Sequence, residues 1–222
     1  MDSFELMKSR HSVRSYNDRQ MDEETLSILR SLIDECNKES GLHIQLCLNQ
    51  GKAFESFLSR LMKFNNVNNY IALTGEKSKN LDENIGYYGE KIVLKATELG
   101  LGTCWVGRTY RKGKCNVELD DDEKLFCVIT IGYSDTKGVP RKTKSIEELS
   151  HVNGKMPEWF RKGMEAAQLA PTALNEQKFK FSLDGNVVTA KPGIGVTSKI
   201  DLGIAKYHFE LGAGSTNWIW AE

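Results

Sequence analysis

The hydrophobic period of this chain switches repeatedly between helix and strand, in two successive rounds. In the first round, Asp22-Glu23-Glu24 puts acids at a helix start, where the dipole favours them, and Leu26, Leu29 and Ile33 follow at helical spacing. Leu42, Ile44, Leu46 and Leu48 alternate with His43, Gln45 and Cys47, which predicts a half-buried strand. A short helix is expected over Ala53 to Met62 and a strand over Tyr70 to Leu73. Ile85, Tyr88, Ile92, Ala96 and Leu99 mark one face of a long helix that Gly100 would end. Leu125 to Ile131 reads as a fully buried strand closed by Gly132.

The second round predicts a helix over Trp159 to Leu169, stopped by Pro171. Phe179, Phe181 and Leu183 alternate with polar residues, Asp184-Gly185 signals a hairpin, and Val187 to Ala190 would return as the partner strand. A helix over Leu202 to Leu211 with Gly212 behind it, and a final strand over Asn217 to Trp220, complete the round. Glu98-Leu99-Gly100 lines up with Glu210-Leu211-Gly212, and Cys104-Trp105 falls close to Asn217-Trp218. The expected fold is therefore α+β, an antiparallel or mixed sheet flanked by helices and built twice, with halves at residues 1–145 and 146–222.

Among 222 residues, 30 lysines and arginines balance 30 aspartates and glutamates, so the chain lacks the positive excess that meets a nucleic acid. A local basic cluster at Lys137 to Lys144 suits one phosphate group rather than a polymer. No stretch approaches the roughly 18 apolar residues of a membrane span. The start carries no basic segment followed by an apolar run, so no secretory signal is expected. Cysteines at 36, 47, 104, 115 and 127 are odd in number and form no Cys-x-x-Cys. Neither a disulfide framework nor a zinc site is favoured, and a reduced cytoplasmic compartment is expected.

Three segments carry chemistry. Ser9 to Tyr16 holds Arg10, His11, Ser12 and Arg14, cations and a hydroxyl suited to a phosphate monoester with its three acceptor oxygens. Gly100 to Gly107 contains Leu101, Gly102 and Thr103, where glycine lets backbone approach a flat ring. Pro171 to Gln177 offers Thr172, Ala173, Asn175 and Gln177, and its two amides carry both donor and acceptor. Cys104 reads as small packing rather than a redox thiol, since no partner cysteine adjoins it. His208 is either a packed histidine or a residue lining a cleft from the second half. Gly193-Ile194-Gly195 lacks the full dinucleotide fingerprint.

Together these segments resemble those of the FMN-dependent nitroreductase family, over most of the chain. The resemblance implies a single-chain, internally duplicated member in which one FMN lies between the halves. By that resemblance, Arg10 and Ser12 hold the phosphate and ribityl end with His11 against it, and Arg14 stands near flavin N1 and O2. Leu101, Gly102 and Thr103 lie beside the ring, and Pro171, Thr172, Ala173, Asn175 and Gln177 contact it from the other half. Arg141, within Gly138 to Lys144, would complete the phosphate site. The chain departs from the family at Thr172, where serine is commoner, and at Lys178-Phe179, where proline-tryptophan is usual.

The activity so implied is hydride transfer from NADH or NADPH through FMN to a nitroaromatic or quinone-like acceptor, by a monomeric pseudo-dimer or a homodimer. No residue is nominated as a catalytic acid or base, because the flavin carries the electrons and the protein supplies placement and electrostatics. The alternatives are a flavin-binding protein without nicotinamide turnover, and a dehalogenating or flavin-degrading relative.

Overall fold

A computed structural model describes residues 2–136, 138–139, 141–215 and 218–221. Lys137 and Pro140 of the basic segment and Asn217 of the expected last strand lie outside them. In chain order the described residues form α1 (Ser3–Ser9), α2 (Glu23–Ser40), β1 (Gln45–Cys47), α3 (Phe57–Leu61), β2 (Tyr70–Glu76), α4 (Leu81–Glu98), β3 (Gly102–Val106) and β4 (Glu123–Gly132). They continue through α5 (Ile146–Leu149), β5 (Ser150–Val152), α6 (Glu158–Ala167), β6 (Phe179–Asp184), β7 (Val187–Pro192), α7 (Ser198–Ala213) and β8 (Ile219–Trp220).

The chain divides into two compact units. The amino-terminal unit holds Ser9–Leu81 and Lys91–Val139; the carboxy-terminal unit holds Met1–Lys8, Asp82–Glu90 and Pro140–Glu222. The division thus differs from a single cut after residue 145: two earlier segments belong with the later part of the chain.

In the amino-terminal unit the strands lie in the order β1-β2-β4-β3, every pair antiparallel. Tyr70 to Gly75 of β2 and Cys127 to Gly132 of β4 are buried throughout, as central strands covered on both faces must be. Helix α2 opens on Asp22, whose carboxylate accepts the Thr25 N–H at 2.8 Å, and it buries Leu26, Leu29 and Ile33 as their spacing predicts. Helix α4 ends at Gly100, which sits at φ +78°. There the Leu101 N–H reaches the Ala96 carbonyl at 2.9 Å and the Gly100 N–H reaches Thr97 at 3.0 Å, the paired closure that satisfies the last carbonyls of a helix.

Two expected elements here are shorter or split. Strand β1 begins only at Gln45, because the Asn37 side-chain amide takes both backbone groups of Ile44 (3.0 and 2.7 Å) in place of a ladder partner. The expected helix over Ala53 to Met62 is instead a tight turn over Gly51–Phe54 followed by α3. Ser56 interrupts it: its hydroxyl accepts the Ser59 N–H at 3.0 Å and starts a new helix.

The carboxy-terminal unit carries the second sheet, in the order β5-β6-β7-β8. Its pairing is mixed: β5 with β6 and β7 with β8 are parallel, while β6 and β7 form the antiparallel hairpin expected at Asp184-Gly185. Helices α6 and α7 and residues Asp82–Glu90 of α4 also belong to this unit. The core is aromatic, with Phe209 5.4 Å from Phe160 and 5.0 Å from Phe181 between ring centroids. Helix α7 begins one turn earlier than expected and ends two residues later, at Ala213. Gly212 lies inside it rather than behind it, and Gly214 at φ +68° is the cap. A Cβ on Gly212 would stand 2.5 Å from the Lys162 carbonyl oxygen, so this glycine serves helix packing where Gly100 serves termination. Their sequence alignment therefore pairs residues with different structural roles.

Candidate functional site

Past Ser9, the last residue of α1, Arg10 to Tyr16 leave the helix and join the amino-terminal sheet through a bridge between Ser12 and Thr103. The Val13 N–H donates to the Thr103 carbonyl at 2.8 Å. Gly102 permits this approach, since a Cβ there would stand 2.7 Å from the Val13 side chain. The expected nearness of the cationic segment to the glycine loop is therefore present within this unit. Gly102 has its reason in that packing.

A cavity of about 220 Å³ opens there, lined by Ser9, Arg10, His11, Thr103, Ser134 and Thr136 among others, and no acidic residue is among the described residues that line it. Leu101 and Thr103 are buried in its wall, and Arg10 is only 6% exposed. The two ring nitrogens of His11 face the carbonyl oxygens of Ser9 (3.3 Å) and Thr136 (3.2 Å), which fixes the ring. Ser12 and Arg14 remain exposed. Sequence reading missed Ser134 and Thr136, which follow β4, and Asn65, whose N–H donates to the Arg14 carbonyl at 2.9 Å. The paired asparagines of Asn65-Asn66 and Asn68-Asn69 were the available signal for a built turn.

Burial pushes the Cys104 thiol up, against weaker opposing pulls from Arg14 and Ser12, which suits packing rather than redox chemistry.

In the carboxy-terminal unit the Pro171 to Gln177 segment folds as a tight turn. Leu174, Asn175 and Gln177 adopt φ of +52°, +56° and +46°, all in the left-handed region that side chains disfavour. Three anchors hold it. The Thr172 hydroxyl accepts the Gln177 N–H at 3.0 Å, so threonine retains the use that serine would have. The buried Gln177 amide accepts the Lys144 N–H (2.8 Å) and donates to the Gln168 carbonyl (3.1 Å). Asp201, on the first turn of α7, accepts the Ala173 N–H at 3.1 Å. The Asn175 amide donates to the Lys142 carbonyl at 2.8 Å while its side chain stays exposed. Arg141 donates to the Leu169 carbonyl, so it lies beside this turn.

Pro171 is buried and Ala173 half-buried. Lys144, Gln168 and Asp201 were not foreseen; Asp201 stood out only as a lone acid before the apolar run Leu202 to Ala205. His208 is packed within its unit. It is fully buried, with Nε2 2.9 Å from the Glu90 carboxylate and Nδ1 3.2 Å from the Ala166 carbonyl.

With this geometry in hand, comparison with known proteins is decisive at the level of family. Residues 2–213 match the family model described as "Putative TM nitroreductase". The chain belongs to this nitroreductase family. It is similar to the crystal structure of a "putative nitroreductase" from Thermotoga maritima, at 27% identity and a TM-score of 0.67, over 96% of this chain and 83% of that one. A nitroreductase family protein from Streptococcus pneumoniae matches at 19% identity and a TM-score of 0.53, over 65% of this chain and 96% of its own. A "Putative NADH dehydrogenase/NAD(P)H nitroreductase" from Parabacteroides distasonis matches at 21% and 0.52, over 68% and 97%. These last two likenesses concern the fold. A comparison with curated proteins gives no match.

The donor set fits a flavin phosphate. The cavity of the amino-terminal unit offers a guanidinium, an imidazole and five hydroxyl side chains, with no carboxylate among its described lining residues to repel an anion. A planar, partly uncharged ring with donors and acceptors on its edge suits the exposed amide of Asn175.

Proposed function

We propose that this nitroreductase family member is an FMN-dependent oxidoreductase that takes reducing equivalents from NADH or NADPH and passes them to a flat, electron-poor acceptor such as a nitroaromatic or a quinone. The observation that carries this reading is the cavity around the buried Arg10 and the fixed His11, with no acid among its described lining residues.

In this assignment Arg10 and Ser12 hold the phosphate end with His11 against it, and Arg141 is a further cation. Charge-assisted bonds of this kind contribute roughly 1.5–3 kcal/mol each. Bound FMN supplies the two-electron chemistry. Arg14 lends positive charge to the pyrimidine edge, where the reduced ring gathers negative charge. Leu101, Gly102 and Thr103 shape the wall beside the ring. Pro171, Thr172, Ala173, Asn175 and Gln177 form the turn that presents the Asn175 amide. Hydride transfer needs the reacting atoms held about 3–3.5 Å apart, so stacking surfaces govern the rate more than titrating groups do. One FMN per chain follows from a single copy of each segment, as in a pseudo-dimer.

Purified protein tests this directly. The expected outcome is a yellow protein with one flavin per chain, bleached anaerobically by NADH or NADPH and recoloured by a nitroaromatic. A colourless protein that gains no flavin on incubation with FMN sinks the reading. A yellow protein that neither nicotinamide bleaches leaves a flavin-binding module without turnover.

A further inference from the structure

We propose that Asp201 is the positioning residue of the Thr172–Gln177 turn: its buried carboxyl oxygen accepts the Ala173 N–H and fixes the strained backbone that presents Asn175. The inference rests on the reading that this turn meets a flavin.

Three independent features support it. Asp201 is 6% exposed, and its carboxyl oxygen lies 3.1 Å from the Ala173 nitrogen. The turn it holds has three non-glycine residues at positive φ, an arrangement that persists only where surrounding contacts over-determine it. The acid sits on the first turn of α7, a helix of 16 residues whose register is set by its packing in the unit core. The rigid helix therefore transmits its position to the turn through one hydrogen bond.

The anchor is sensitive to pH. Burial pushes the carboxyl up to about 6; the Ala173 N–H opposes this, Glu176 adds to it and Lys178 opposes it. Glu176 and Lys178 pair with each other at 2.9 Å, which mutes their separate effects. A carboxyl whose folded value lies above its value in water binds its proton more tightly when the turn is closed. Linkage then sets the sign: the closed turn is favoured at low pH and loosens as pH rises from about 4 through 6. Asparagine, a neutral acceptor of the same shape, should hold the turn at every pH.

Two measurements test this on the full chain. In flavin-free protein, the Ala173 amide proton shift should titrate near pH 6, and Asp201→Asn should remove that step. Riboflavin is the second probe, because FMN's own phosphate also titrates near pH 6. Wild-type affinity for riboflavin should weaken about tenfold between pH 5 and 8. Asp201→Asn should show a flat profile, and Asp201→Ala should bind about tenfold more weakly than wild type at pH 5. An Ala173 amide indifferent to pH from 4 to 8 overturns the proposal, and so does Asp201→Asn keeping the wild-type slope. A normal amide titration in a protein that binds no riboflavin keeps Asp201 as the anchor and overturns the flavin assignment instead.

Discussion

The Ser9 to Tyr16 segment and the Pro171 to Gln177 segment reach a ligand-ready geometry by opposite means. The first rests on a sheet bridge at Ser12 and Thr103 and has no residue at positive φ. Its chemistry lies in side chains, namely the buried Arg10, the fixed His11 and the exposed Ser12 and Arg14. The second spends side chains to hold backbone. Thr172, Gln177 and Asp201 all bond to main-chain groups, as does the amide of the exposed Asn175. A charged ligand group calls for the first kind of site and a flat polar edge for the second. Substitutions at the exposed Ser12 and Arg14 of the first should change affinity and leave stability alone, whereas those at the anchors of the second should cost stability as well as affinity.

The sharpest way to break that contrast is Arg10→Ala. It should lower FMN affinity by about a hundredfold or more, the loss of one or two charge-assisted bonds. Fluorescence titration of the flavin reads the affinity. Unchanged binding removes Arg10 from the phosphate site.

Gln177→Ala probes the other side of the comparison. It leaves the Lys144 N–H and the Gln168 carbonyl without their amide partner in a region that is 2% exposed at Gln177. The expected cost is about 2–4 kcal/mol in a urea unfolding curve, against less than about 0.5 kcal/mol for Ser12→Ala at its exposed position. Equal costs would mean that the two segments are built alike.

Arg14→Ala separates charge from binding within the first segment. It should retain more flavin than Arg10→Ala and lower the two-electron potential by about 30 mV, which corresponds to about 1.4 kcal/mol. Dye equilibration measures the shift, and a potential equal to wild type withdraws Arg14 from the ring.

The same contrast explains what could be read from the chain. Side-chain chemistry is visible as letters, so Arg10-His11-Ser12 raised the expectation of an anion site, and periodicity that of a sheet built twice. Gly100 was legible as a helix terminator because positive φ selects glycine. Anchors that act across sequence were not. The Asn37 amide shortens β1 by capturing Ile44, and neither residue type signals that pairing. Gly212 resembles Gly100 in sequence yet packs against Lys162 of α6, a contact that only the tertiary arrangement defines. Asp201 reaches the turn from 28 residues away with a side-chain oxygen on the Ala173 N–H, and the Gln177 amide reaches back 9 residues to the Gln168 carbonyl, through bonds that any polar side chain could make in principle.

The smallest effect tests whether the turn stores strain. Leu174 is 86% exposed and sits at φ +52°, so its side chain buries little while its backbone occupies a region that β-carbon sterics disfavour. Asparagine tolerates this region better than leucine because its short polar side chain bonds locally. Leu174→Asn should therefore stabilise the protein by about 0.5–1 kcal/mol, which raises Tm by roughly 1–4 °C in a chain of this size. Ser12→Asn, placed in the unstrained segment, should give no gain. A Leu174→Asn protein that melts at or below the wild-type temperature would show that leucine makes a compensating contact at this turn, and the two segments would then differ in hydrogen bonding alone.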